Sequence, residues 1–158
     1  MSVANRGASQ IRELHAGETH LAHRAMSALR AAYESEQEFV EYVDGVLRLA
    51  GYRLLGAFLP GNAQAVAAAG FRMGDSLAWG HYLYVDDLST APDGRRHGHA
   101  GALLDWLVEE GRRLGCGQLH LDSGVGPERF DAHRLYHNHG LAIYSHHFAR
   151  GLAPTPLP

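Results

Sequence analysis

Apolar residues recur along the chain in two periods, and the switches between them outline strands alternating with helices. Ser9 to Leu14, with Ile11 and Leu14 as its apolar members, predicts a short first strand. A turn at Ala16 and Gly17 leads to a helix over Leu21 to Ala32, with Thr19 as its expected N-cap. Phe39, Val40, Val43, Val46 and Leu47 recur at helical spacing in a second helix from about Ser35, which Gly51 ends. Tyr52 to Leu59 and Gln64 to Arg72 read as a hairpin turning at Pro60, Gly61 and Asn62. The small residues of AVAAAGF make the second of these strands the weaker signal. Gly74 to Ala78 reads as a loop, and His81 to Thr90, rich in Tyr, Val and Leu, is expected in the middle of a sheet.

The clearest period belongs to the next helix. Ala100, Leu103, Leu104, Leu107, Val108, Gly111 and Leu114 form one apolar stripe, and Asp105, Glu109, Glu110, Arg112 and Arg113 lie on the other side. Gly115 and Gly117 stop it, and Gln118 to Ser123 resumes a strand. Strand, helix, strand at this spacing is a crossover unit, so the strands at Tyr82 and Gln118 should be parallel. Arg129 to His139 then reads as a short helix bearing Ala132, Leu135 and Tyr136 and ended by Gly140. Leu141 to Phe148 reads as a last strand. Residues 9–150 are expected to form one domain, with 1–8 disordered and 151–158 a flexible tail.

Composition narrows the function classes. With 158 residues, 46% hydrophobic and 20% charged, the chain can bury one core. A formal net charge of -3 supplies no basic field for nucleic acid, and no apolar run is long enough to span a bilayer. The first residues lack the apolar stretch of a signal peptide, so a cytoplasmic protein with no nucleic-acid or membrane partner is expected. Cys116 is the lone cysteine, which excludes an internal disulfide and a cysteine-based zinc site. Its place between two glycines reads as buried and inert.

Candidate chemistry concentrates between Tyr82 and Leu114. A helix entered through a glycine turn presents unpaired N–H groups and partial positive charge at its start, which suits a phosphate. Arg95 and Arg96, just before Gly98, can pair with the same anion. Asp86 and Asp87 interrupt the preceding strand. Side chains alternate across a strand, so the two acids face opposite ways unless a bulge intervenes. Either could accept a proton.

The segment Leu88-Ser89-Thr90-Ala91-Pro92-Asp93-Gly94-Arg95-Arg96-His97-Gly98-His99-Ala100-Gly101, followed by an amphipathic helix, resembles the acetyl-coenzyme A signature of the GCN5-related N-acetyltransferases (GNAT). That signature reads Arg or Gln, two variable residues, Gly, one variable residue, Gly or Ala, and Arg95, Gly98 and Ala100 match it. The helix ending in Leu135 and Tyr136, shortly before Gly140 and Leu141, resembles the family's second signature. The resemblance runs from Ser9 to Phe148 and implies an α/β fold of the α+β type, the acyl-CoA N-acyltransferase fold. Its mixed central sheet would have about six strands flanked by about four helices.

The resemblance also implies roles. Backbone N–H groups of Arg96, His97, Gly98, His99, Ala100 and Gly101 would bind the coenzyme's pyrophosphate, with Arg95 at the rim. The edge of Leu88, Ser89 and Thr90 would hydrogen-bond the pantetheine arm. Tyr136 would protonate or hydrogen-bond the leaving thiolate, and Asp86 or Asp87 would take the proton of the incoming amine. The implied activity is direct acetyl transfer from acetyl-CoA, as cosubstrate, to a primary amine of a small molecule or peptide. A non-catalytic acyl-CoA-binding or interaction module with the same fold is the rival reading.

Thr90 and His99 stand where the family usually has aliphatic residues, so His99 sits either near the coenzyme or on the surface. Little chain follows Leu141, so either the sheet is short or a partner subunit covers its edge, as in a homodimer. Of the twelve histidines, His133 and His137, His20 and His23, and the adjacent His146 and His147 are spaced for a metal. With no HExxH pattern, no metal is expected. His120, His146 or His147 is an alternative base. The acceptor would be addressed by the first helices and the loop from Gly74 to Gly80, where Arg24, Arg30 and Glu34 are the charged candidates.

Overall fold

A five-stranded mixed sheet in the order β1-β2-β3-β4-β5 carries the first and larger of two compact units in the computed structural model, which describes residues 8–153. The ends expected to be loose, 1–8 and 151–158, lie largely outside the described residues. β1 (Gln10–Leu14), β2 (Arg53–Phe58), β3 (Ala67–Ser76) and β4 (Gly80–Thr90) pair antiparallel in succession, and β5 (Gln118–Leu121) joins β4 in parallel. The parallel pair is the crossover anticipated around the longest helix.

Alternation along the strands divides the core of this unit between the two faces of the sheet. On one face Leu14, Leu54 and Ala68 pack with Met26, Phe39 and Val43, supplied by α1 (His23–Ser27), by α2 (Glu36–Tyr42) and by the π-helical turn that continues it. On the other, Leu55, Ala57, Ala67, Ala69, Phe71, Leu83 and Val85 pack with Leu103 and Leu107 of α3 (His99–Arg113). The alanines that weaken the strand signal in AVAAAGF are all buried, because both faces of β3 lie under other elements and small side chains suit close layers. α2 begins at Ser35, whose hydroxyl accepts from the Glu38 N–H at 3.3 Å, and its continuation ends at Gly51 with φ 90°.

Four expectations about this first unit need correction. The first helical segment is broken: Thr19–Ala22 is a 3-10 turn, α1 spans five residues, and Ala31–Tyr33 is a separate turn. Thr19 caps nothing; its hydroxyl donates to Asp44 Oδ1 at 2.6 Å and accepts from Arg48 Nη2 at 2.9 Å. β3 continues to Ser76 through the stretch read as a loop, because Gly74 leaves room for the Tyr82 ring of the paired strand. Glu110, placed on the polar side by periodicity, is buried, because Arg113 and Arg53 both bind its carboxylate.

The second unit, from Asp122 onward, contains a 3-10 turn (Pro127–Arg129) and α4 (Phe130–Asn138), which is closed by Gly140 at φ 79°. Residues 141–150 form no strand, so the expected element from Leu141 to Phe148 is absent as regular structure. Ile143, Tyr144 and Phe148 are exposed, and this unit has no strand among its described residues. Among the described residues no helix is long and apolar enough to cross a membrane.

Glu110 ties α3 to the sheet through Arg53, which also binds Glu13 of β1 at 2.6 Å. Hydrogen bonds from Arg113 and then Arg53 outweigh the penalty of burial and hold the Glu110 carboxyl down to about 2, below its ordinary 4.5. Its folded-state value is depressed, so its contribution is complete above about 4.5 and is lost as pH falls toward 2. Glu110→Gln should therefore lower the urea unfolding midpoint near neutral pH, and the gap to wild type should shrink steadily as the melts are repeated toward pH 2.

Candidate active site

β4 is paired with β3 throughout, yet its ladder with β5 covers only Tyr82 to Val85, opposite Gln118 to Leu121. From Asp86 to Thr90 that side of β4 has no partner strand among the described residues, so the parallel pairing ends there and leaves a free strand edge. The register with β3 slips at the same point. Gly70 lies opposite Asp87 and Phe71 opposite Val85, which leaves Asp86 as the extra residue of a β-bulge.

The bulge decides where the two acids point. Val85 and Leu83 pack toward α3, so Asp86 turns to the opposite face, where it meets Arg72. After the extra residue the alternation restarts, and Asp87 points to that same face, where it meets Tyr52. Both carboxylates thus share one side. Their environments differ. Asp87 Oδ2 accepts from the Tyr52 hydroxyl at 2.8 Å and Oδ1 from Arg30 Nε at 2.7 Å, so each oxygen has a donor. Arg72 Nε lies 3.2 Å from Asp86 Oδ1 and 3.1 Å from Oδ2, with hydrogen-bond geometry only to Oδ1. Oδ2 is buried with no donor. Burial raises the Asp86 pKa, Arg72 opposes that shift, and the charge on Asp87 adds to it. Tyr52 is raised well above its ordinary value by burial and by Asp87, so it stays a neutral donor.

Gly70 makes this arrangement possible. A Cβ there would overlap the hydroxyl end of the Tyr52 ring, which crosses the strand at the glycine to reach Asp87. Tyr52 and Arg72 were not singled out by sequence reasoning. Their signal was the glycine inside a strand pattern, which marks a bulge or a close approach.

At the far end of β4 the chain passes through a 3-10 turn, Pro92–Gly94, into α3. Arg96 has φ 65° and Gly98 φ 81°, and this left-handed entry turns the chain into the helix. Ala102 N–H donates to Gly98 O at 3.0 Å, so the N–H groups of His99, Ala100 and Gly101 precede the first intrahelical bond. A Cβ on Gly98 would meet nothing within 4 Å; the space above it is open. Arg95, Arg96 and His97 are exposed, and neither arginine makes an ion pair among the described residues. These residues fit an anion such as a pyrophosphate. Two predicted positions offer main chain only. His99 is buried rather than superficial, its Nδ1 3.2 Å from Ser9 Oγ, and burial followed by His97 lowers its pKa. Ser89 is turned toward α1, where its hydroxyl donates to Ala25 O at 2.6 Å. Leu88 packs against the α3 core, and the Thr90 methyl lies beside Gly94.

In the second unit Tyr136 is buried on α4. Burial raises its phenol pKa and Arg129 pulls the other way. Three of the histidines spaced for a metal have other partners in this unit: His133 Nε2 lies 2.8 Å from Gly124 O, His137 Nδ1 3.1 Å from Leu141 O, and His147 Nδ1 3.2 Å from Asp122. In the first unit His23 Nε2 meets Tyr33 O at 2.9 Å, and His120 stacks on Trp79 with ring centroids 3.7 Å apart. Cys116 is partly buried, and burial pushes its thiol pKa up, away from nucleophilic use.

Residues 11–141 match the family described as the acetyltransferase (GNAT) family. A curated relative, the uncharacterized N-acetyltransferase YhdJ of Bacillus subtilis, is 29% identical over 126 residues, covering 79% of this chain and 85% of that protein. Among solved structures, a ribosomal-protein-alanine N-acetyltransferase from Brucella melitensis superimposes with a TM-score of 0.74 at 24% identity, covering 90% of this chain and 99% of the other. A glucosamine-6-phosphate N-acetyltransferase from Arabidopsis thaliana gives 0.73 at 13% identity, with 93% and 100% covered. These likenesses show the fold, and the two named acceptors differ so widely that the fold alone names none.

Gly70→Ala is expected to cost about 1–3 kcal/mol by overpacking, read from urea melts. In a Tyr52→Ala background the same substitution should cost far less, because its clash partner is gone; an equal cost in both backgrounds would contradict the close approach.

Proposed function

The chain belongs to the GNAT acetyltransferase family, and on that premise we propose that it transfers an acetyl group from acetyl-CoA directly to a primary amine, with Asp86 as the proton acceptor. The observation that carries this reading is the coincidence, at one point of β4, of three features: the end of the β5 ladder, a bulge, and a carboxylate with a buried, undonated oxygen. An amine near its ordinary pKa of about 10 arrives protonated, so a base must act before it can attack. Burial makes Asp86 a stronger base than a solvated carboxylate, while Asp87, donated to at both oxygens, holds Arg30 and Tyr52 in place.

The free edge of Leu88, Ser89 and Thr90 would take the pantetheine arm as an added strand, and the start of α3 would take the pyrophosphate. Asp86 removes one proton from the ammonium. The amine nitrogen then attacks the thioester carbonyl carbon, the C–S bond breaks, Tyr136 is assigned the proton that the departing thiolate takes up, and the second proton, shed by the nitrogen as the amide forms, restores the phenol. No covalent acyl-enzyme and no metal enters this sequence.

Acetyl-CoA should bind wild type in a calorimetric titration, and Gly98→Glu, which fills the open space at the helix start with a carboxylate, should abolish binding without unfolding the protein. Absence of wild-type binding would sink the reading. In thiol-release assays across amine classes, Asp86→Asn should lower kcat about 10²–10⁴-fold, and Tyr136→Phe should lower it too. Because burial raises Asp86, the acid limb of the wild-type rate profile should lie at higher pH than an ordinary aspartate would give and vanish in Asp86→Asn. Coenzyme binding with no turnover on any amine would favour the non-catalytic module.

A further inference from the structure

Within the acetyl-transfer reading, on which this inference rests, the geometry points to an α-amino acid as acceptor, its amine presented to Asp86 and its carboxylate held by Arg72.

Arg72 sits on β3 opposite Tyr84 of β4. Its Nε is spent on Asp86, and its guanidinium carbon lies 4.9 Å from the centre of the Tyr84 ring. One edge and one face of the group are therefore held. Its Nη donors have no partner among the described residues, and the side chain is 41% exposed. A guanidinium fixed in this way, with its remaining donors turned outward beside a carboxylate, is a preorganised fork for a second planar anion. Arg30 differs: its Nε binds Asp87 and its Nη2 donates to the Asp86 carbonyl at 3.1 Å, so it is committed to holding the bulge.

Spacing selects the ligand. The donors left on Arg72 belong to the same guanidinium whose Nε touches Asp86, so an ammonium at Asp86 and an anion on Arg72 lie within the width of one guanidinium. An amine and a carboxylate on a single carbon match that separation. Charge balance agrees. Arg30 and Arg72 offset Asp86 and Asp87, so the face is no acidic well for a polyamine or an aminoglycoside, whereas a zwitterion pairs with both signs. Tyr84 and, two residues earlier on the same face, Tyr82 continue the surface away from the pair and would lie along a bulky amino-acid side chain.

The test compares the proteinogenic amino acids, each beside the amine left when its carboxyl group is removed and beside its amide, in thiol-release assays with acetyl-CoA. The carboxylated member should be preferred in kcat/KM by roughly ten- to hundred-fold, the worth of a hydrogen-bonded charge. Arg72→Met should collapse that preference toward unity, mostly through KM, and Arg72→Lys should restore part of it. A calorimetric titration with the same compounds reads the preference without turnover. Equal affinity and equal rates for acids, amides and amines would overturn the acceptor inference and leave acetyl transfer standing; failure of acetyl-CoA itself to bind would remove both.

Discussion

One extra residue in β4 sets the geometry on which the site depends. Without the bulge at Asp86, strict alternation would send one carboxylate into the apolar layer under α3, where Val85 and Leu103 leave no donor for a charge. The slip puts both acids on the other face and coincides with the point where β5 ceases to pair. The bulge in turn depends on an absence. Gly70 has no side chain, so Tyr52 can cross β3 and donate to Asp87, and the two acids acquire different chemistry from adjacent positions.

The exposed β4 edge and the turn beyond it are tied to the same short helix. Ser89 donates to the Ala25 carbonyl, and Arg24 reaches Asp93 in the turn that leads to α3. The second pair is exposed on both sides and adds little stability; its effect is to relate the turn to α1. Arg30, just beyond α1, holds Asp87 and the Asp86 carbonyl. The segment that the sequence suggests for addressing an acceptor is thus the one that braces the strand bearing the two aspartates. On the opposite face the Arg53 cluster with Glu13 and Glu110 locks α3, so the helix start is presented from a fixed rod.

Most of the fold was legible because its signals are local. The stripe from Leu103 to Leu107, the glycine stop at Gly115, the Tyr-, Val- and Leu-rich run from His81 to Thr90 and the glycine turn at Gly98 are each written within a few residues. Misreadings occurred where distant contacts override local preference. Thr19 looks like a cap but is claimed by Asp44 and Arg48, residues far along the chain. Glu110 sits on the polar side by periodicity but is drawn inward by Arg53 of another element. The stretch from Leu141 to Phe148 reads as a strand by its residue types, but a strand exists only against a partner.

The sequence by itself carried most of the order of elements, the glycine-entered helix start and the candidacy of Asp86 and Asp87, because each rests on residue type and near spacing; Tyr136 became a candidate through the family resemblance. Only the tertiary structure distinguished the two aspartates. What separates them is which oxygen finds a donor, and those donors, Tyr52, Arg30 and Arg72, come from three separate parts of the chain. Hydrogen bonds and burial are properties of the folded neighbourhood, and a linear pattern holds no record of which side chains arrive at a bulge or which carboxylate oxygen is left without one.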